Sequence, residues 1–195
     1  LGDTTMTTRR AFLAHAAAAG GALAAPTVLR AAEEPQFQIA DRFAPKVVQV
    51  KSQFPAGEIH IVTARHYLYF MLGEGRALRY GVAVGAAGLN FSGSAVVGRK
   101  VEWPSWRPTP AMIAREPAKY GPLADGMDGG PNNPLGARAM YLYRNGRDTA
   151  YRIHGTPQPW TIGRSVSSGC IRMTNEHVKD LYRRVPLGTR VTVYS

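Results

Sequence analysis

Cysteine is almost absent from this chain: among 195 residues there is one, at position 170. A single cysteine cannot form an intrachain disulfide, so no disulfide framework holds the fold together. It also excludes a structural zinc site built from several cysteine ligands. The five histidines do not form a metal-ligand run. The sequence therefore predicts no metal, and nothing in it indicates another cofactor.

Acidic residues and long apolar runs are also scarce. Asp and Glu number 13 against 24 Lys and Arg, which gives a formal net charge of +11. A basic chain attracts anionic partners, but the cations are scattered and no basic helix or aromatic RNA-binding motif occurs, so nucleic acid is not a predicted partner. The apolar run at residues 14–29 is shorter and more weakly hydrophobic than the ~20-residue stretch of a membrane-spanning helix. We therefore predict no transmembrane segment in the mature protein.

The first segment of the chain has the pattern of an export signal. Arg9 and Arg10 precede Phe12, Leu13 and the Ala/Gly-rich run, an order typical of twin-arginine signals. We expect residues 1–32 to be this signal, and a short amphipathic helix is the alternative. Residues 33–56 are predicted to be a lead-in or linker with the first strand, and residues 57–194 the main domain. Export would place that domain in the periplasm or cell envelope.

Strand-like segments dominate the main domain and indicate its fold class. Residues rich in β-branched and aromatic types, bounded by Gly and Pro turns, predict strands at 47–50, 58–62, 67–71, 78–84, 96–102, 139–143, 150–154 and 190–194. Thr109 and Pro110 begin a short helix, and a long Pro/Gly-rich loop follows at 117–136. Thr174 caps the principal helix, residues 174–184. The elements predict a mainly β domain, a sandwich or barrel, with one principal helix.

Small residues surround the single cysteine in the segment Ser167-Ser168-Gly169-Cys170, and His154 lies a short way upstream. The thiolate is the reactive form of cysteine, and an imidazole can take the thiol proton. Gly169 would let backbone amides approach a developing oxyanion, and Arg172 could hold a carboxylate of the substrate. The pattern indicates a cysteine nucleophile with a histidine base. For the thiol taken alone, a buried structural cysteine is the alternative.

Residues 153–172 closely resemble the catalytic signature of the L,D-transpeptidases, the YkuD-like family of cell-wall enzymes. That signature is a His-Gly-Thr, a loop with Ile-Gly, and a Ser-His-Gly-Cys-Ile-Arg-Met. Residues 133–136 and 103–110 also resemble this family, so the similarity extends over about 57–194. The resemblance implies that this range is an L,D-transpeptidase catalytic domain with that family's β-sandwich. One departure is plain, because Ser168 stands where the family usually has histidine.

The resemblance implies a cysteine-dependent acyltransferase that forms 3-3 cross-links between peptidoglycan stem peptides. Cys170 would attack the bond between the third residue, a diamino acid, and the D-Ala of a stem tetrapeptide. His154 would accept the thiol proton with the Gly155 carbonyl orienting its ring, and amides near Gly169 would stabilise the oxyanion. The predicted substrate contacts are Ser167, Ser168 and Arg172. Carbapenems, which mimic the acyl donor, are expected to acylate Cys170.

The sequence leaves the acyl acceptor open. A second stem peptide gives a cross-link, water gives an L,D-carboxypeptidase, and an envelope-protein amine gives attachment of that protein to the cell wall. A non-catalytic relative that only binds the wall is a further alternative, and it would form no covalent adduct. A papain-like peptidase is disfavoured, because in those enzymes the cysteine precedes the histidine by a long stretch of chain.

Overall fold

The structure, a computed structural model, describes residues 37–86, 89 and 91–194. The predicted export signal and the first residues of the predicted linker lie outside this range. None of the helices in the described part of the chain is both long and apolar enough to cross a lipid bilayer.

The described structure contains eleven strands. They are β1 (Lys46–Gln49), β2 (Ile59–Val62), β3 (Tyr67–Gly73), β4 (Arg76–Gly81), β5 (Val84–Gly85), β6 (Gly93–Glu102), β7 (Arg138–Arg144), β8 (Arg147–His154), β9 (Ser165–Ser167), β10 (Ile171–Arg172) and β11 (Arg190–Tyr194). Nine of them form one sheet in the order β1-β4-β3-β2-β11-β6-β7-β8-β10, and β5 pairs with β9 in a second sheet. The main sheet is antiparallel except where β11 meets β2 and where β10 meets β8.

Three α-helices accompany the sheet: α1 (Pro110–Arg115), α2 (Pro117–Tyr120) and α3 (Asn175–Arg184). Both predicted N-caps are confirmed. The Thr109 hydroxyl accepts a hydrogen bond from the Met112 amide, and the Thr174 hydroxyl accepts one from the His177 amide, each at 3.2 Å. Each cap satisfies an amide that the first helical turn leaves without a partner. The predicted mainly β fold with one principal helix after Cys170 is confirmed.

The hydrophobic core draws on both halves of the main sheet and on α3. Ile59 and Ile61 of β2 are fully buried, as are Met140 of β7 and Leu181 of α3, and all four belong to one cluster. Alternate side chains of a strand leave opposite faces, so one face of each strand supplies this cluster. The inward residues of both halves of the sheet therefore meet in one main core, and Phe43, Ala83 and Ile162 form a smaller second cluster.

Two predicted segments differ from the structure. The predicted strand 78–84 is divided. The Val82 amide still bonds the His66 carbonyl in the register of β3 and β4, but the Ala83 amide donates to the Arg172 carbonyl, and Val84 then pairs with β9. The predicted loop 117–136 contains α2 and a short 3-10 turn at 121–123, since proline suits the first position of a helix as well as a break. The strands β9 and β10 were not predicted, because two or three residues are too few to show a periodic pattern.

Residues 107–126, here termed the cover segment, leave the sheet and return to it as one long loop whose two ends are held together. Its ends are joined by a two-residue bridge in which Trp106 and Met127 exchange backbone hydrogen bonds of 2.8 and 2.7 Å. The side-chain amide of the buried Asn133 donates to the carbonyl oxygens of Met127 and Asp128. These bonds fix the base of the cover segment, which carries α1 and α2 over the site described next.

Candidate active site

Strand β10 brings the cysteine segment against the end of β8. Ile171 pairs with Ile153 and Arg172 pairs with His154 in parallel register. The Met173 amide donates to the His154 carbonyl at 2.8 Å, which fixes the pairing. Because side chains alternate along extended chain, His154, Arg172 and Cys170 project from the same face. This short strand pairing therefore brings His154, Cys170 and Arg172 close together although they are separated in sequence.

A cavity of about 470 Å³ lies at this face, and both Cys170 and His154 line it. Three more of the predicted site residues line the same cavity: Ser167, Ser168 and Arg172. The cover segment supplies one side of it, through Met112, Arg115, Glu116, Lys119, Tyr120 and Leu123. The structure therefore places the predicted nucleophile, base and substrate contacts around one space.

The turn before Cys170 is held by Ser167. This residue is 3% exposed, and its hydroxyl donates to the Cys170 carbonyl at 2.6 Å and accepts from the Gly169 amide at 3.1 Å. The Gly169 amide is therefore already bonded within the turn, and the amide of Cys170 is the backbone donor closest in sequence to the thiol. Ser167 shapes the turn that presents the thiol to the cavity.

Gly169 is required by backbone conformation and by space. Its φ is +119°, and a Cβ atom at this position would lie 2.5 Å from both the Leu89 carbonyl oxygen and a ring carbon of Tyr151. Side chains rarely adopt such a φ, and a real Cβ atom does not approach other atoms this closely. The absence of a side chain at Gly169 thus allows the turn to pack against Tyr151.

The thiol of Cys170 rests against the backbone of β8. Its Sγ donates to the Ala150 carbonyl oxygen at 3.9 Å. Burial raises the pKa of Cys170 above its ordinary value, and the Arg152 backbone and the cations Arg152 and Arg172 oppose this shift only in part. The side chain therefore rests as a neutral thiol at neutral pH and needs a base at the moment of attack.

His154 has the protonation state of a general base. It is 3% exposed, and its Nδ1 lies 2.5 Å from the Gly155 carbonyl oxygen. A carbonyl can only accept a hydrogen bond, so Nδ1 carries the proton and Nε2 carries the lone pair. Burial lowers the pKa of His154 to about 3, and the positive charge of Arg172 acts in the same direction. The resting pair is a neutral thiol and a neutral imidazole.

Asn175, the first residue of α3, supports the loop after His154. Its side-chain oxygen accepts a hydrogen bond from the Ala137 amide at 2.9 Å. The same oxygen occupies the space where a side chain on Gly155 would project. Glycine at position 155 thus lets α3 approach the histidine loop closely, and it keeps the Gly155 carbonyl beside the imidazole.

Arg172 places a positive charge in the cavity, and no carboxylate among the described residues is paired with it. Arg152 is paired with Asp148 at 3.0 Å, whereas no ion pair among the described residues includes Arg172. Burial lowers the pKa of Arg172, but a guanidinium stays protonated in proteins. A largely buried cation without a carboxylate partner favours an anionic ligand group in this cavity.

Ser168 is hydrogen-bonded to Arg115, a residue that the sequence did not predict to lie in the site. Its hydroxyl accepts a hydrogen bond from Nη2 of Arg115 at 3.0 Å. Lys119 and Tyr120 also line the cavity without having been predicted to do so. All three belong to the cover segment, and no local pattern in a long Pro-rich stretch shows which side chains face a site elsewhere in the chain.

The buried histidine base makes stability depend on pH. Wild type is expected to lose more free energy of unfolding than His154→Gln as the pH falls from 7.5 to 5. The pKa of His154 is about 3 when folded against 6.5 as the reference, so the unfolded chain binds one more proton between these values. The contribution of His154 to the free energy of unfolding is therefore complete above pH 6.5. Below that pH it falls by at most about 1.4 kcal/mol per pH unit.

Urea denaturation of both proteins at the two pH values measures this loss. Burial also lowers the pKa of three other histidines, His60, His66 and His177, so the quantity that matters is the difference between wild type and variant. Equal losses in the two proteins would show that His154 is not held neutral by burial.

Comparisons with known proteins identify the family of this chain. The family model of the L,D-transpeptidase catalytic domain, YkuD, matches residues 56–193. The chain is 37% identical over 125 residues to "Probable L,D-transpeptidase YbiS" of Escherichia coli K12, which covers 63% of this chain and 39% of that protein. The chain spans less than half the length of the curated relatives it matches.

Two solved structures share the fold. A Brucella melitensis protein described as a probable carnitine operon oxidoreductase is 52% identical, with a TM-score of 0.55 over 80% of this chain and 96% of that one. L,D-transpeptidase 3 of Mycobacterium tuberculosis is 17% identical, with a TM-score of 0.53 over 72% of this chain and 62% of that one. The latter likeness concerns the fold alone. On the match of the family model to most of its length, this chain belongs to the L,D-transpeptidase catalytic-domain family.

Proposed function

We propose that this protein is a peptidoglycan L,D-transpeptidase that forms 3-3 cross-links through a Cys170 acyl-enzyme on stem tetrapeptides. The observation that carries the proposal is the placement of a thiol, a neutral buried imidazole and a guanidinium that has no ion pair within the described residues around one cavity. The match of residues 56–193 to the L,D-transpeptidase catalytic domain supports it. An acyl transferase of this type needs a nucleophile, a base and a contact for the substrate, and the cavity offers one of each.

The first half-reaction follows from the protonation states. Nε2 of His154 takes the thiol proton as Sγ of Cys170 attacks the carbonyl carbon between the diamino acid and D-Ala. The carbonyl electrons move to oxygen, and the backbone amide of Cys170 would stabilise that charge, because the Gly169 amide is already bonded to Ser167. Collapse of the intermediate breaks the C–N bond, the imidazolium returns its proton to the leaving amine, and D-Ala departs from a thioester.

The second half-reaction reverses these steps with a new amine. The side-chain amine of an acceptor stem attacks the thioester carbonyl while His154 accepts its proton. The C–S bond then breaks, and Cys170 recovers its proton from the imidazolium. Arg172, which lacks a carboxylate partner among the described residues, would bind a carboxylate of the stem peptide. Neither half-reaction calls for a metal or a cofactor.

We also propose that the enzyme works in the periplasm after twin-arginine export of a protein whose residues 1–32 are the signal. The support is the Arg9-Arg10 pair before a short apolar run, together with a substrate that lies outside the cytoplasmic membrane. Residues 1–32 hold only three arginines and one aspartate of a chain with a formal net charge of +11, so the rest of the chain stays strongly basic, which suits a domain that works against a carboxylate-rich wall.

The test is turnover of a defined donor. The purified full chain is incubated with a stem tetrapeptide and an isotopically labelled acceptor stem, and products are separated by liquid chromatography and mass spectrometry, with Cys170→Ala as the control. Release of D-Ala together with a dimer linked through two diamino acids is the expected result. D-Ala with free tripeptide and no dimer identifies a carboxypeptidase. A parallel incubation offers an envelope-protein amine as acceptor, and an adduct on that protein without any dimer identifies a protein-attaching enzyme. No D-Ala release by folded wild type contradicts the proposed chemistry.

A further inference from the structure

The cover segment places a second arginine beside the nucleophile segment. Arg115 is the last residue of α1, and its Nη2 donates to the hydroxyl of Ser168 at 3.0 Å. Ser168 precedes Cys170 by two residues, a span of at most about 7 Å. The guanidinium of Arg115 is therefore held over the turn that carries the thiol, on the side of the cavity formed by the cover segment.

Arg115 retains most of its hydrogen-bonding capacity in this position. A guanidinium has five N–H donors, and the only hydrogen bond that Arg115 makes among the described residues goes to a neutral hydroxyl. Its acidic neighbour Glu116 lies at 3.8 Å and is bound more closely by Lys119, at 3.1 Å. These side chains are about 40% exposed or more, so the Arg115–Glu116 pair is screened and weak.

The free donors of Arg115 match a carboxylate in both charge and shape. The planar fork of a guanidinium binds a carboxylate through two parallel hydrogen bonds, which a serine hydroxyl cannot offer. In the bond that Cys170 is proposed to attack, the leaving D-amino acid ends in a carboxylate one residue length, about 3.8 Å, beyond the attacked carbonyl. That carboxylate comes within reach of a cation held over Ser168.

We propose that Arg115 is a specificity-determining residue that binds the terminal carboxylate of the leaving D-amino acid. The inference rests on the proposed function and names the group that this site recognises. On substrate binding, Arg115 exchanges its bond to Ser168 for two bonds to the carboxylate. When the leaving residue departs, its carboxylate goes with it, and Arg115 returns to the Ser168 hydroxyl.

The test compares two donors that differ only at the leaving carboxylate. One is the stem tetrapeptide with a free C-terminal carboxylate, and the other is the same peptide with a C-terminal amide. Release of D-alanine or D-alaninamide by the full chain is followed by mass spectrometry to give kcat/KM for each donor. The proteins are wild type, Arg115→Gln, Arg115→Lys and the matched control Arg107→Gln. Arg107 is another arginine of the cover segment, but it does not line the cavity, and its guanidinium donates to the Asp125 carbonyl.

Wild type is expected to prefer the free acid by about 10- to 100-fold, the size expected for a charge-assisted hydrogen bond. Arg115→Gln should lower kcat/KM for the acid by that factor and leave the amide within about twofold. Arg115→Lys should retain part of the preference, because it keeps the charge and loses the fork. Arg107→Gln should keep the full preference.

Three outcomes overturn the inference. Equal losses on both donors in Arg115→Gln would show that Arg115 only supports the cover segment. Equal rates of wild type on acid and amide would show that the leaving carboxylate is not recognised. If wild type releases neither leaving group and no carbapenem adduct forms on Cys170, the proposed function itself fails, and the inference fails with it.

Discussion

His154→Gln is expected to slow acylation of Cys170 by a carbapenem about 10²- to 10⁴-fold, the usual contribution of a positioned general base. Burial raises the pKa of the thiol, so few thiolates are present at neutral pH, and attack depends on proton removal in the same step. Glutamine is polar and of similar length, but it has no basic nitrogen. The rate is measured as the growth of the adduct mass in quenched samples.

His177→Gln is the matched control for that experiment. His177 is a partly buried histidine whose pKa is also lowered by burial, but it lies on α3 and does not line the cavity. This variant should acylate at close to the wild-type rate once its folding has been verified. If His154→Gln also keeps the wild-type rate, Cys170 is deprotonated by something other than His154.

Gly169→Ala is expected to cost about 2–5 kcal/mol of unfolding free energy, from a φ that side chains rarely adopt together with overpacking. A methyl group there would meet the Leu89 carbonyl and the Tyr151 ring, so the turn must shift. The shift would move Cys170, which follows directly, and acylation should be lost with it. Urea denaturation gives the stability change, and the carbapenem adduct gives the activity.

Gly188→Ala separates the cost of the positive φ from the cost of overpacking. Gly188 also has a positive φ, +84°, but nothing lies within 4 Å of a Cβ built there. It should therefore lose only about 1–2 kcal/mol from backbone conformation, and its acylation rate should be unchanged. If Gly169→Ala costs no more than Gly188→Ala and still acylates, the close packing of the cysteine turn is not needed.

The sequence predicted most of the fold because its signals are local. Helix caps at Thr109 and Thr174 depend on residues within one turn, and the Asn145-Gly146 turn joins β7 to β8 with both residues at positive φ, as a two-residue hairpin needs. Strands of four or more residues showed alternation or β-branched content. The short strands β9 and β10 exist only because β5 and β8 offer them backbone partners, and such partners are not visible in a two- or three-residue segment.

For the candidate site, too, the local features were predictable from the sequence and the contacts between distant segments were not. A motif around Cys170 and a histidine at a strand end are readable from the chain, whereas the arginine that reaches Ser168 lies 53 residues away from it. The lowered pKa of His154 and the raised pKa of Cys170 arise from burial by the assembled fold. The sequence identifies the groups that are proposed to react, and the packing sets their protonation states.

Intact-protein mass spectrometry after incubation with a carbapenem tests the central claim most directly. The full chain and Cys170→Ala are treated in parallel, and proteolytic peptides locate any added mass. The account predicts one adduct per wild-type molecule, on the peptide containing Cys170, and none on Cys170→Ala. Folded wild type without an adduct, or an equal adduct on Cys170→Ala, would contradict a catalytic role for this thiol.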